Sequence, residues 1–166
     1  MSILDIPAIT RIRRNHALEH ATIHVLSQRH RTLRLVGRSS VSGFFIYGQV
    51  DTDELAAAAT EALARLQNGE TELAVHPRCG TNIALAGIMA GLSTFGVMSG
   101  RSRSKLEKLP QVILAATAAV LFAQPLGALV QSRITTTSNV NGAFIAGITR
   151  QQRGGMIIHH VRVAEE

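Results

Sequence analysis

Residues 81–100 read TNIALAGIMAGLSTFGVMSG and residues 111–132 read QVILAATAAVLFAQPLGALVQS, and neither stretch holds an Asp, Glu, Lys or Arg. How these two windows are read decides the fold. Within the first, residues 82–98 form a helix of about 25 Å at about 1.5 Å per residue, near the lower limit for crossing a hydrocarbon core of about 30 Å. Within the second, residues 112–130 are long enough, and Pro125 is tolerated where neighbouring groups satisfy the freed carbonyl. A buried helical hairpin in a soluble α+β fold is the alternative, and the missing aromatic belt favours it. Against it stands size. Covering two all-apolar helices on every side needs more surrounding chain than 166 residues provide. The membrane reading is therefore the expectation, and the spacings Gly87-xxx-Gly91 and Gly96-xxx-Gly100 give the first helix a close-approach face for another helix, a copy of this chain included.

Apolar residues make up 46% of the chain and charged residues 17%, so charge is what is scarce, and a disordered chain is excluded. The net charge of +6 is spread: nine Lys and Arg against eight Asp and Glu in residues 1–81, four against one in 101–110, four against two in 132–166. Dispersed arginines, no Trp and one Tyr argue against a nucleic-acid partner. No cleavable leader is visible in the first fifteen residues, where Arg11, Arg13 and Arg14 interrupt any apolar run.

Outside the windows, residues 6–30 read as a helix with apolar positions Ile9, Ile12, Leu18, Ile23, Val25 and Leu26 and Pro7 in its first turn. Residues 32–36 and 41–50 read as a strand pair turning at Gly37-Arg-Ser-Ser40. Asp51 and Glu54 mark a helix start, and an Ala-rich run closes at Asn68-Gly69. Residues 72–75 suggest a short strand. After residue 132 the pattern is again strand-like, over 134–140, 143–150 and 156–163, with turns at Asn141-Gly142 and Gly154-Gly155.

The chemistry is concentrated in two short motifs. His16 and His20 stand at i and i+4, on one helical face about 6 Å apart, so both imidazoles reach one divalent ion. Glu19 flanks them, where a carboxylate can deprotonate a metal-bound water. The order H-x-x-E-H is that of the inverzincin metallopeptidases. His76-Pro-Arg-Cys79 adds two more ligand types three residues apart, in a stretch stiffened by Pro77 and freed to turn by Gly80. With a single cysteine, any zinc site must be completed by histidine or carboxylate. His24 drifts off the His16/His20 face and reads as a surface residue or a neighbour of the ligands. His159 and His160 are adjacent on a strand and face opposite ways. Thr81 and Asn82 are candidate caps of the first apolar helix.

Both motifs together, over residues 12–130, resemble an uncharacterised group of bacterial integral membrane proteins, catalogued as domains of unknown function and suspected of binding metal. The resemblance implies a bacterial membrane protein with a metal site, and it implies no activity. The likeness to inverzincins is confined to His16, Glu19 and His20.

The expected architecture is α+β: an N-terminal α/β region over 1–81 bearing the site, a two-helix transmembrane hairpin over 82–131, and a C-terminal β region over 132–166. The expected metal is Zn2+, held by His16, His20, His76 and Cys79. If all four bind, the tetrahedron is closed and the ion is a staple in a non-catalytic membrane protein. If three bind, water takes the open position with Glu19 as its base, which is the chemistry of a hydrolase acting on a membrane-proximal protein or peptide. The basic residues Arg101, Arg103, Lys105 and Lys108 argue for a cytoplasmic connecting loop. The N-terminal arginines and a thiol that must stay reduced argue for a cytoplasmic site, the orientation expected here.

Overall fold

Pro7 opens the first helix at a position where its missing N–H is no loss, and the His30 N–H closes it by bonding to the Leu26 carbonyl. The computed structural model describes residues 3–30, 32–100 and 104–166. They divide into two units, Met1–His76 with Ser132–Glu166 and, separately, Pro77–Gln131. In the first unit, helix α1 (Pro7–Arg29) is buried without interruption from Ala17 to Ile23. A helix sunk on all sides at its middle must meet partners in several directions. These are strands β1 (Val36–Ser40) and β2 (Gly43–Tyr47), helix α2 (Thr52–Gln67) and the short 3-10 turn Thr71–Ala74.

The α2 boundaries are those its sequence announces. Asp51 caps it, accepting from the backbone N–H groups of Asp53 (2.9 Å) and Glu54 (3.1 Å). Leu55, Ala58, Ala59, Ala62, Leu63 and Leu66 form its buried stripe, and small alanines let it lie close to α1. Strands β3 (Ala143–Arg153) and β4 (Met156–Glu165) complete an antiparallel sheet in the order β1-β2-β4-β3, so the two ends of the chain share one sheet. Phe44, Ile46, His159 and Val161 turn inward, while Phe45 stacks on His160 on the other face with ring centroids 4.3 Å apart.

Three local expectations are corrected. The β1–β2 turn falls at Val41-Ser42, and Gly37-Arg-Ser-Ser40 is itself strand; Gly43, at φ 141°, supplies the turn conformation instead. Residues 71–74 form the 3-10 turn rather than a strand. Residues 131–135 form a π-helical turn that continues the preceding helix, so the strand expected over 134–140 is absent.

The second unit is a helical hairpin of α3 (Gly80–Ser99) and α4 (Leu109–Val130). Polar bonds at its two ends fix the antiparallel pairing. Gln131 Nε2 donates to Asn82 Oδ1 at 2.6 Å beside the start of α3, and Lys108 Nζ donates to the Val97 and Met98 carbonyls, each at 3.1 Å, and to that of Gly100. Between them Ala119, Ala123 and Gly127 recur every fourth residue as the buried stripe of α4. A Cβ on Gly127 would overlap Asn82 Oδ1, so glycine makes that contact feasible. The cap of α3 is Cys79, whose Sγ accepts from the Thr81 N–H at 3.4 Å; Asn82 instead donates to the Pro77 carbonyl at 2.9 Å.

Two helical runs, Gly80–Ser99 and Leu106–Thr135, are long and apolar enough to cross a membrane, with 6% and 11% of their apolar windows buried. Helices at the heart of a soluble core would be mostly covered. Here Ile83, Leu92, Phe95, Leu114, Leu121 and Phe122 are all well exposed. Among the described residues the result is a chain of four α-helices and four strands, of the expected α+β class.

Candidate metal site

The histidine face of α1 looks onto the turn Thr71–Ala74 and the two residues after it. His16 and His20 have ring centroids 4.3 Å apart, as one helical turn dictates. His76 comes to 5.7 Å from His20 and 4.8 Å from His24. The four rings form a row, His16, His20, His76, His24. His24 therefore joins the cluster that sequence reasoning had set it beside. Its drift around α1 does not carry it away, because the segment leading to His76 runs along that side of the helix. The i, i+4, i+8 spacing was the available signal.

Backbone carbonyls orient three of these rings. His16 Nδ1 is 3.0 Å from the Thr135 carbonyl, His20 Nδ1 is 2.8 Å from that of Ala74, and His24 Nε2 is 3.0 Å from that of Val75. A carbonyl only accepts, so each of these nitrogens carries the proton. In the neutral ring the lone pair then sits on Nε2 of His16 and His20 and on Nδ1 of His24. Histidines that bind metals are held this way, with one N–H committed to the protein and the other nitrogen left as the ligand. The His20 Nε2 atom is buried without a hydrogen-bond partner, in a side chain that is 2% exposed. Leaving such an acceptor dry and unmatched costs about 1–3 kcal/mol, which a ligand there would offset.

The carbonyl framework has its own supports. Arg13 Nη2 donates to the carbonyls of Arg133 and Thr136, both at 3.0 Å, and the Thr137 N–H bonds to the Arg13 carbonyl at 3.3 Å. These bonds bring the segment around Thr135 alongside the first turns of α1, within reach of His16.

Glu19 is buried between the two motif histidines in sequence and packs against β1. A Cβ placed on Gly37 would overlap its Oε1, Cδ and Cγ atoms. Gly37 is therefore in the strand to make room for a carboxylate, and its place in the sequence reads as a turn only because glycine is commonest there. Cys79 belongs to the second unit, where it caps α3 and is 7% exposed. His159 and His160 face opposite ways, the first bonded to Thr52 Oγ1 at 3.0 Å and the second stacked on Phe45.

Residues 11–148 match a domain of unknown function, DUF6391. An uncharacterized protein of Picosynechococcus sp. (strain ATCC 27264 / PCC 7002 / PR-6) is 35% identical over 161 residues, which cover 92% of this chain and 78% of that protein. No solved structure matches. His16, Glu19, His20, His24, His76 and Cys79 all fall inside the matched span. With most of its length matched and a bacterial relative aligned along nearly all of it, the chain belongs to the DUF6391 family.

Proposed function

We propose that this chain is a zinc-binding membrane protein that hydrolyses an amide or ester in a membrane-proximal protein or peptide. His16, His20 and His76 would hold the ion, which would supply an activated water, and Glu19 would be the base that accepts its proton. The observation that carries this reading is the commitment of the His16, His20 and His24 N–H groups to backbone carbonyls, with the His20 Nε2 lone pair buried and unmatched. Imidazoles preset in this way suit zinc, which lowers the pKa of a bound water toward about 7. The resemblance to H-x-x-E-H peptidases supports the role of Glu19.

A second reading has its own support. Cys79 follows His76 by three peptide links, a reach of at most about 11 Å, and thiolate with three imidazoles makes a closed structural zinc site. In that case the protein is a scaffold or an assembly element. Both readings share the membrane hairpin, with lipid around α3 and α4. A second copy would approach through the face bearing Gly87 and Gly91, where nothing lies within 4 Å of an added Cβ. The site faces the cytoplasm, where Cys79 stays reduced.

Cobalt substitution of the full chain in non-ionic detergent separates the two. The hydrolase reading expects about one ion per chain and a visible spectrum that shifts when azide or cyanide is added. Glu19→Gln should keep the ion. A thiolate-bearing spectrum indifferent to small anions establishes the closed site and ends the hydrolase proposal; failure to retain any metal ends both.

A further inference from the structure

A cleft of about 740 Å³ opens in the first unit, away from the histidine row, between α1, the β1–β2 turn and the end of β4. Arg11 and Arg14, one helical turn apart on α1, and Arg162 of β4 line it, together with Ser40, Ser42 and Glu165. Three guanidiniums thus face one carboxylate. Glu165 is shared: it pairs with Arg14 and lies 3.4 Å from Arg11 Nε. No ion pair of Arg162 occurs among the described residues within 4.0 Å. The cleft therefore carries two positive charges beyond what its own acid neutralises.

Arg14 makes this more than a basic surface patch. It is 4% exposed, and its Nε is buried without a hydrogen-bond partner. A fold that buries a cation beside another cation and leaves one of its donors unmet has set it there at a cost. The serine side chains add polarity to the same wall, Ser40 Oγ donating to the Gly43 carbonyl at 3.0 Å and lying 3.4 Å from Ser42 Oγ.

We propose that this cleft binds a phosphate group, with Arg162 and Arg11 as its outer clamp, Arg14 as its buried floor and Glu165 as the carboxylate that occupies the arginines when no ligand is bound. Guanidinium forks match phosphate oxygens two at a time, and a dianion neutralises the excess. The volume suits a phosphate carried on a small organic group, either a soluble phosphomonoester or the headgroup of a phosphatidic-acid type lipid.

Titration calorimetry on the full chain in non-ionic detergent tests the assignment, with inorganic phosphate, short-chain phosphatidic acid and short-chain phosphatidylcholine as probes. Saturable phosphate binding is expected, weakened at least tenfold by Arg162→Gln, less by Arg162→Lys, and tightened by Glu165→Gln. Phosphatidic acid binding at least tenfold tighter than phosphate identifies the lipid source, and equal affinities identify the soluble one. Arg162 is exposed, so its variants fold, and circular dichroism checks this. No binding at about 10 mM probe, affinity unchanged by Arg162→Gln, or weaker binding by Glu165→Gln overturns the proposal.

Discussion

At the scale of single residues, the contact between Glu19 and Gly37 ties the candidate chemistry to the fold. Adding a methyl at Gly37 displaces a carboxylate rather than backbone, because the overlapping atoms are the far end of the Glu19 side chain. Gly37→Ala is therefore expected to fold with a loss of about 1–3 kcal/mol, the usual range for overpacking. In a Glu19→Ala background the space is empty and the loss should nearly vanish, a coupling of at least about 1 kcal/mol in a double-mutant cycle. Denaturant unfolding of the four proteins measures it, and simple additivity would show that the two residues do not share that space. Sequence reading could pair His16, Glu19 and His20 because helical spacing is a local property, and it picked out His76 and Cys79 only as a short motif elsewhere in the chain. It could not reach Gly37 or the carbonyls of Ala74, Val75 and Thr135, which come to α1 through long-range packing and carry no residue signature.

At the scale of elements, His159 links the sheet to a helix start. It is fully buried on β4 and bonds through Nε2 to Thr52 Oγ1, next to the Asp51 cap of α2. Burial chiefly lowers its pKa, the Arg150 charge lowers it further, and Asp51 opposes both. In the window from that lowered value up to about 6.5, the unfolded chain holds the proton and the folded one does not. Stability therefore rises with pH through the window and is lost on acidification below about 6.5. His159→Leu keeps an apolar filling and removes the titration, so its unfolding free energy should vary less between about pH 5 and about pH 7 than that of the parent. An unchanged slope would place the acid sensitivity elsewhere. Helices were the most legible elements: Pro7, the Asp51 cap and Asn68-Gly69 mark their ends in local chemistry. Strand limits were harder, because β1 holds a glycine for packing reasons and the run after α4 stays helical through a π-turn that its β-branched Ile134 and Thr135 do not announce.

At the scale of the whole molecule, two units obey different solvation rules. The first hides its apolar side chains in a core shared by α1, α2 and the sheet, and its charges lie mostly outside. The hairpin does the reverse: its polar groups, Asn82, Gln131 and Lys108, are bonded within it at its ends, and its large apolar side chains are exposed along its length. Twenty residues of α3 give about 30 Å of helix, the thickness of a hydrocarbon core, and between its end turns the backbone groups of a helix are satisfied without water. Burying that exposed surface in water would need a second protein layer, whereas lipid supplies it without further chain. The protein is therefore expected to stay with the membrane fraction through an alkaline carbonate wash, which strips proteins held by charge alone, and to leave it in non-ionic detergent. Recovery of monodisperse protein from the aqueous fraction, with no detergent present, would mean that copies cover each other's hairpins in water. The Gly87 and Gly91 face would then be the first place to look for the contact, through the change in oligomeric state on Gly87→Leu.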